Sequence, residues 1–259
     1  MPPLPPPRPP ATLPTVHWEA TALTDPGRVR RSNEDAFLLR PGRGLFAVAD
    51  GMGGHASGEV ASQMAVQVLE QETAHLADHS TPADVERALA TAVHAANRAI
   101  YERAAREPQH AGMGTTLTAL ALLPDASYRI AHVGDSRAYR IDASGIHRLT
   151  TDHTWVQEQI ELGRLTEAEA RRHPLSSVLT RALGIHRTVH VDFRRGTVHP
   201  GDLLLLASDG LTGPLTDDDI RAILEPDLPL EELASRLVQA ANLRGGPDNI
   251  TVVLIRVTA

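Results

Sequence analysis

The sequence predicts an α+β fold in which antiparallel sheets are covered on the outside by helices. Three observations lead there. Strand-like segments follow one another at short range, as in "YRIAHVGDSRAYRI", where a hairpin is the natural connection. Two long helical patterns stand together early in the chain and another comes late, instead of one helix between each pair of strands as a doubly wound parallel sheet requires. At 259 residues, 42% of them hydrophobic, the chain is long enough to bury a substantial core.

"MPPLPPPRPPATLP" carries eight prolines in fourteen residues, too many for helix or sheet hydrogen bonding. Residues 1–15 are therefore expected to form an extended, mobile tail, with one domain over 16–259. "HWEATALT", "DAFLLR" and "LFAVAD" have short, partly apolar strand character. "GEVASQMAVQVLEQETAHL" has helical spacing, with Val60, Met64, Val68 and Leu69 on one side. The next helix is expected to start at "STPADVERAL", with Thr81 as cap and Pro82 at the first helical position, and Val85, Leu89, Val93 and Ala96 along its inner face. "TTLTALALL", "YRIAHV", "SRAYRI" and "HRLT" read as four strands. Residues 152–172 read as polar helix, with a capping box in "TEAE" from Thr166 to Glu169. "TVHVDFRR", "DLLLLAS" and "NITVVLIRV" complete the strands, and "TDDDIRAIL" and "PLEELASRLVQAAN" supply helices between the last two. No internal repeat is visible.

Composition removes several chemistries. The net charge of −7 argues against a nucleic-acid backbone as partner. All 25 basic residues are arginine, which excludes a G-K-[ST] phosphate loop and Schiff-base catalysis. There is no cysteine, hence no thiolate nucleophile, disulfide or sulfur-ligated zinc. The longest apolar run is too short to span a bilayer, and the N-terminus lacks the pattern of a secretion signal. A cytoplasmic protein is expected.

Four aspartates sit where strands begin or end. Asp50 closes "LFAVAD" before Gly51, Asp209 closes "LLLLASD" before Gly210, Asp248 precedes "NITVVLIRV", and Asp135 occupies the "VGDSR" turn. Strand ends can gather on one edge of a packed sheet, and converging carboxylates need a cation. Hard divalent ions accept such oxygen ligands, and a glycine lets the following carbonyl turn inward as another. Asp-Gly is equally a common turn, so the residues alone leave convergence open.

Eight segments then carry a resemblance. "RVRRSNEDAF", "ADGMGGHASGEVAS", "GTT", "HVGDSRAY", "LTTDH", "LTRALG", "ASDGLTGPLTDDDI" and "GGPDNITVV" stand in the order seen in the metal-dependent protein phosphatases, in their bacterial type 2C serine/threonine branch. The resemblance covers the chain from about Thr21 to Val257. It implies a four-layer αββα sandwich of two packed antiparallel sheets, with a small flap insertion at about 152–178. It further implies two ions, Mn²⁺ or Mg²⁺, bridged by Asp50 and completed by the Gly51 carbonyl, Asp209 and Asp248. Asp135 with Asp209 matches a third metal position, and Glu34 and Asp35 would sit beside the metals, mostly through water. Arg30 matches the clamp for the substrate phosphate, and His55 a general acid for the leaving alkoxide. The implied activity is hydrolysis of phosphoserine and phosphothreonine in proteins by metal-activated water, without a phosphoenzyme. The implied partners are phosphoproteins, substrates of a serine/threonine kinase, with no nucleic acid, no membrane span and a monomeric chain.

One departure stands out: relatives often carry asparagine where this chain has Ser177. Among competing readings, "GDSR" resembles the nucleophile block of a serine esterase, but it lies mid-chain in a hairpin and no G-x-S-x-G occurs. A catalytically dead relative that binds phosphoproteins would be expected to lose Asp50, Asp209 or Asp248, and all three are present. His75 and His79 do not form H-E-x-x-H and read as a solvated helix end.

Overall fold

The structure is a computed structural model and describes residues 16–53, 57–76, 80–225 and 227–259. The proline-rich segment 1–15, His55 and His79 lie outside the described residues.

The strands are β1 (His17–Asp25), β2 (Asp35–Arg40), β3 (Leu45–Met52), β4 (Gly114–Thr115), β5 (Leu117–Leu122), β6 (Ser127–Val133), β7 (Arg137–Asp142), β8 (Gly145–Arg148), β9 (Asp192–Thr197), β10 (Leu203–Ala207) and β11 (Ile250–Thr258). One sheet runs β1-β11-β10-β7-β8 and the other β2-β3-β5-β6-β9, with β4 paired to β3. Their pairings are antiparallel throughout.

Alternation along the strands explains the layering. On β3, Phe46 and Val48, with Leu120 beside them on β5, face the other sheet, where they meet Leu204, Leu206, Val253 and Ile255. Leu45, Ala47 and Ala49 face outward onto α1 (Ser57–Glu72) and α2 (Pro82–Arg106). On β11, Val252 and Leu254 pack instead against α7 (Leu230–Leu243) and α6 (Asp217–Leu224). The runs "LFAVA", "LLLLA" and "ITVVLI" are continuously apolar because both their faces are covered. The four-layer αββα arrangement expected from the sequence is present.

The capping expectations hold: Thr81 and Asp84 form a capping box with Pro82 in the first turn, and Thr166 with Glu169 does the same. Four local expectations are corrected. The buried stripe of α1 is Ala61, Ala65, Val66 and Leu69, with Val60, Met64 and Val68 only partly covered, because small side chains let this helix approach α2 and β3 closely. "TTLTALALL" is interrupted at Thr116, whose N–H donates to the Asp50 carbonyl (2.9 Å) instead of continuing one ladder. The segment read as helix over 152–172 is two short helices, α3 (Trp155–Glu161) and α4 (Glu167–Ala170), broken after Leu162 at Gly163, whose φ is 67°. The strand read at 188–195 starts only at Asp192, Val189 being drawn onto the α1–α2 core.

The α3–α4 segment leaves the sheets through a narrow neck. Thr154 bridges Leu179, and the Trp155 N–H donates to the Val178 carbonyl at 2.8 Å. Among the described residues, no helix is long and apolar enough to cross a membrane.

Candidate metal centre

Register brings the acidic positions together. Asp35 lies opposite Asp50 in the β2–β3 pair, and Gly51 opposite Thr115 in β3–β4. Asp209 opens the short helix α5 (Asp209–Thr212) directly behind β10, and Asp248 stands just ahead of the neighbouring β11. Asp135 sits in the β6–β7 turn, β7 being the other neighbour of β10. The result is one open pocket of about 230 Å³ whose walls include Arg30, Glu34, Asp50, Gly51, Asp135, Asp209 and Asp248. Of the site residues expected from the sequence, Asp35 is buried behind this wall opposite Asp50, His55 is outside the described residues, and the others line the pocket.

Each side chain is held by its surroundings. The Asp50 N–H donates to Thr116 Oγ1 (2.9 Å), and its carbonyl accepts from Thr115 Oγ1 (2.9 Å). Gly51 is a glycine for a steric reason: a Cβ there would collide with the carbonyl oxygens of Gly58 and Glu34. The Glu34 carbonyl accepts from Gly51 N–H (3.1 Å) and Ser62 Oγ (2.6 Å), so the start of α1 and the Arg30 loop are tied to the same strand end. Asn249 fastens that loop from the other side. Its Oδ1 accepts from Glu34 N–H (2.8 Å), and its Nδ2 donates to the carbonyls of Pro26 (3.0 Å) and Ser32 (2.9 Å). Ser208 Oγ donates to Asp35 Oδ2 (2.8 Å) and accepts from Thr251 N–H (2.9 Å).

Burial and mutual repulsion dominate the electrostatics. Burial pushes Asp50 and Asp135 well above the usual carboxylate range, and nearby aspartates push Asp50 further. Asp209 is raised by burial and by Asp248, and Asp35 is raised to about 7, chiefly by burial. Glu34 is raised by burial. One guanidinium faces this cluster from the pocket wall: Arg30 Nη2 donates to Asp248 Oδ2 at 2.7 Å, which raises the arginine further.

The donor set suits a hard divalent cation, being oxygen throughout. Asp209 Oδ1 and Asp35 Oδ1 are buried without a hydrogen-bond partner, a costly state for a carboxylate and one that a cation relieves. Among the described residues, no three acidic or histidine side chains already stand in the close geometry of a filled metal site. One of the carboxylates, Asp248, is otherwise engaged by Arg30.

The sequence profile named Protein phosphatase 2C matches residues 28–245. The chain belongs to the protein phosphatase 2C family. It is 42% identical over 241 residues to the serine/threonine protein phosphatase PstP of Mycobacterium tuberculosis, covering 93% of this chain and 45% of that one. It is 38% identical over 240 residues to the protein phosphatase PhpP of Streptococcus pneumoniae, covering 92% and 96%. The chain thus spans less than half the length of the mycobacterial relative. Among solved structures, the catalytic domain of PstP in complex with two manganese ions superposes with a TM-score of 0.84 at 39% identity, covering 95% of this chain and all of that one.

Several residues of this protein phosphatase 2C centre escaped sequence reasoning in their roles. Asn249, Ser208 and Thr116 bind backbone and carboxylate groups contributed by distant segments, and short polar residues beside strand ends are the only signal they leave. Arg137, within "GDSR", is another. It makes a bidentate pair with Asp152 (Nη2 to Oδ2, 2.7 Å) beneath the Asp135 turn, both side chains largely buried.

Proposed function

We propose that this chain is a metal-dependent phosphatase acting on phosphoserine and phosphothreonine in proteins. The observation that carries the reading is the convergence of Asp50, Asp135, Asp209 and Asp248 with Arg30 in one open pocket. Family membership and relatives named as serine/threonine phosphatases support it.

On this reading Asp50, the Gly51 carbonyl, Asp209 and Asp248 would hold two ions, Mn²⁺ or Mg²⁺, and Asp135 with Asp209 would offer a third position. Glu34 and Asp35 would act on them through water. Ions bound there supply an acidified water and positive charge for the phosphoryl oxygens. The chain supplies the rest. Arg30 presents a planar fork of donors to a phosphate, and its present partner Asp248 holds it at the pocket wall until a dianion competes. Asn249 and Ser62 fix the Arg30–Glu34 loop so that the fork is already positioned. Gly51 and Gly58 let the backbone of α1 close against the strand end. His55 would donate a proton to the leaving alkoxide, as the resemblance implies. The chain has no cysteine, and Ser136 Oγ is engaged with Thr116 Oγ1, so the reading uses metal-activated water and no covalent phosphoenzyme.

The segment 152–178 would form a flap over the pocket, because Ser177 lines the pocket together with Asp135 and Asp209. Substrates would be targets of a serine/threonine kinase, and the net charge of −7 favours protein over nucleic acid. A monomeric chain in the cytoplasm completes the proposal, and the cysteine-free composition suits that compartment.

The test is release of phosphate from a phosphothreonine peptide by the wild type and Asp209→Ala, with Mn²⁺ added or chelated. The proposal expects turnover only with metal and only in the wild type. Turnover in chelator would sink the metal-assisted reading, and tight phosphopeptide binding without turnover would make the chain a binding module.

A further inference from the structure

The β6–β7 turn that carries Asp135 is gripped by a residue assigned no role so far. The Gly134 N–H donates to His153 Nδ1 at 3.0 Å, and the His153 N–H returns a bond to the Gly134 carbonyl at 2.8 Å. Gly134 has φ 108°, and a Cβ on it would strike the side chain of Thr116, so this turn has little freedom to shift around the clamp. His153 also holds the α3–α4 segment. Its carbonyl accepts from the Thr180 N–H at 2.8 Å, and the next residue, Thr154, caps α3 and bridges Leu179. One residue thus joins the Asp135 turn, the chain leading into α3 and the chain returning from α4.

The His153 ring is built for this rather than for packing alone. Its side chain is 1% exposed, and because Nδ1 accepts from Gly134 the ring proton resides on Nε2. That Nε2 has no hydrogen-bond partner, the nearest carboxylate oxygen, Asp192 Oδ2, being 3.6 Å away. Of the two ring nitrogens only Nδ1 is hydrogen-bonded, and its partner is the Gly134 N–H. His132 lies beside it with ring centroids 4.7 Å apart, and reaches the far side of the same turn through Thr118, whose Oγ1 contacts His132 Nδ1 (2.9 Å) and the Ser136 carbonyl (2.8 Å). Ser136 Oγ in turn meets Thr116 Oγ1 (2.7 Å), the acceptor of the Asp50 N–H.

We propose that His153 is a positioning residue that couples the placement of the α3–α4 segment to the placement of the Asp135 carboxylate. Movement of the segment's neck at Thr180 or Thr154 is transmitted to Gly134 through the two bonds of His153, and from Ser136 through Thr116 to the backbone of Asp50. The consequence for turnover rests on the phosphatase reading above, whereas the coupling itself does not.

The experiment is amide hydrogen exchange at single-residue resolution on the full chain, with calorimetric titration of Mn²⁺, in four proteins. His153→Leu removes the acceptor, His153→Asn keeps an acceptor near the Nδ1 position, and Thr180→Pro removes the N–H that binds the His153 carbonyl. We expect His153→Leu to speed exchange about tenfold at Gly134, whose N–H loses its acceptor, and to speed it severalfold at Trp155 and Thr180 across the neck. Thr180→Pro should speed exchange at Gly134 from the opposite side, and His153→Asn should match the wild type at all three amides. Mn²⁺ binding should weaken severalfold in His153→Leu and Thr180→Pro alone. Unchanged exchange at Gly134 in Thr180→Pro overturns the coupling, and so does an asparagine variant as loose as the leucine one. If His153→Leu does not fold, the Thr180→Pro and His153→Asn comparisons decide alone.

Discussion

Arg30 donates to Asp248 across 2.7 Å, so the cation expected to grip a substrate phosphate rests on a carboxylate expected to grip a metal. The two residues come from opposite ends of the chain, and both side chains keep substantial contact with solvent, at 53% and 30% exposure. An exposed pair of this kind contributes little to stability. Its value lies in holding a flexible guanidinium at the rim while leaving it easy to release.

For that reason Arg30→Ala is expected to cost activity and not stability. Losing charge-assisted bonds to a phosphate should lower kcat/KM on a phosphothreonine peptide roughly 10- to 100-fold, mostly through KM, with the melting temperature almost unchanged. Arg30→Lys should recover only part of this, since an ammonium cannot make the planar two-point contact. Equal activity in the lysine and arginine proteins would show that the fork geometry is not used.

Asp209 stands among buried like charges with Oδ1 unpaired. In chelator, Asp209→Asn should therefore melt higher than the wild type, because one repelling charge is gone. Saturating Mn²⁺ should raise the wild-type melting temperature by roughly 5–10 °C, the shift expected from a ligand held at about a hundred times its Kd in a domain of this size. The variant should show almost none of that rise. Differential scanning calorimetry with and without metal reads both effects, and a variant that loses stability in chelator would contradict the repulsion argument.

His132 gives a dependence on pH away from the carboxylate cluster. Burial, aided by the neighbouring His153, lowers its pKa to about 3, against about 6.5 in an unfolded chain. His153 is lowered to about 4, again mainly by burial. Between those values the unfolded state binds protons that the folded state refuses. Each histidine therefore leaves stability untouched above about pH 7 and removes up to about 1.4 kcal/mol per pH unit as pH falls below about 6.5. His132→Gln, which retains a donor for the Thr151 carbonyl, should flatten this acid limb in urea titrations from pH 7 to 4. An unchanged slope would place the acid sensitivity elsewhere.

Arg137 and Asp152 make the most buried ion pair of the site region, with side chains 16% and 10% exposed. Arg137→Leu strands the Asp152 carboxylate, leaving it only Arg148, and should destabilise by about 3–5 kcal/mol. Adding Asp152→Asn should restore a large part of that loss. Chemical denaturation of the four proteins of this cycle measures the coupling, and simple additivity would mean that the pair does not act as a unit.

Much of this was legible in the sequence. Strand runs such as "LFAVA" and "ITVVLI" announce burial on both faces, and the Thr81-Pro82 and Thr166–Glu169 signatures place helix starts, because these depend on residues near one another. The expectation that Asp50, Asp209 and Asp248 come together as oxygen donors was legible as well, through their position at strand ends. Less legible were features set by distant partners. The inner face of α1 is chosen by how closely Ala61 and Ala65 let the helix approach β3, and not by its larger side chains. The interruption at Thr116 arises because the Asp50 carbonyl, from another strand, claims its N–H.

The sequence by itself thus determined the layers, the family grammar and the oxygen-only chemistry available to the chain, since periodicity and residue type act locally. Only the tertiary structure decided that four separated aspartates face one pocket, that Arg30 leans on Asp248, and that His153 grips the Asp135 turn and the neck of the α3–α4 segment together. Such relationships are fixed by strand order and register, which bring residues from opposite ends of the chain within hydrogen-bond distance, and no local pattern encodes a distance of that kind.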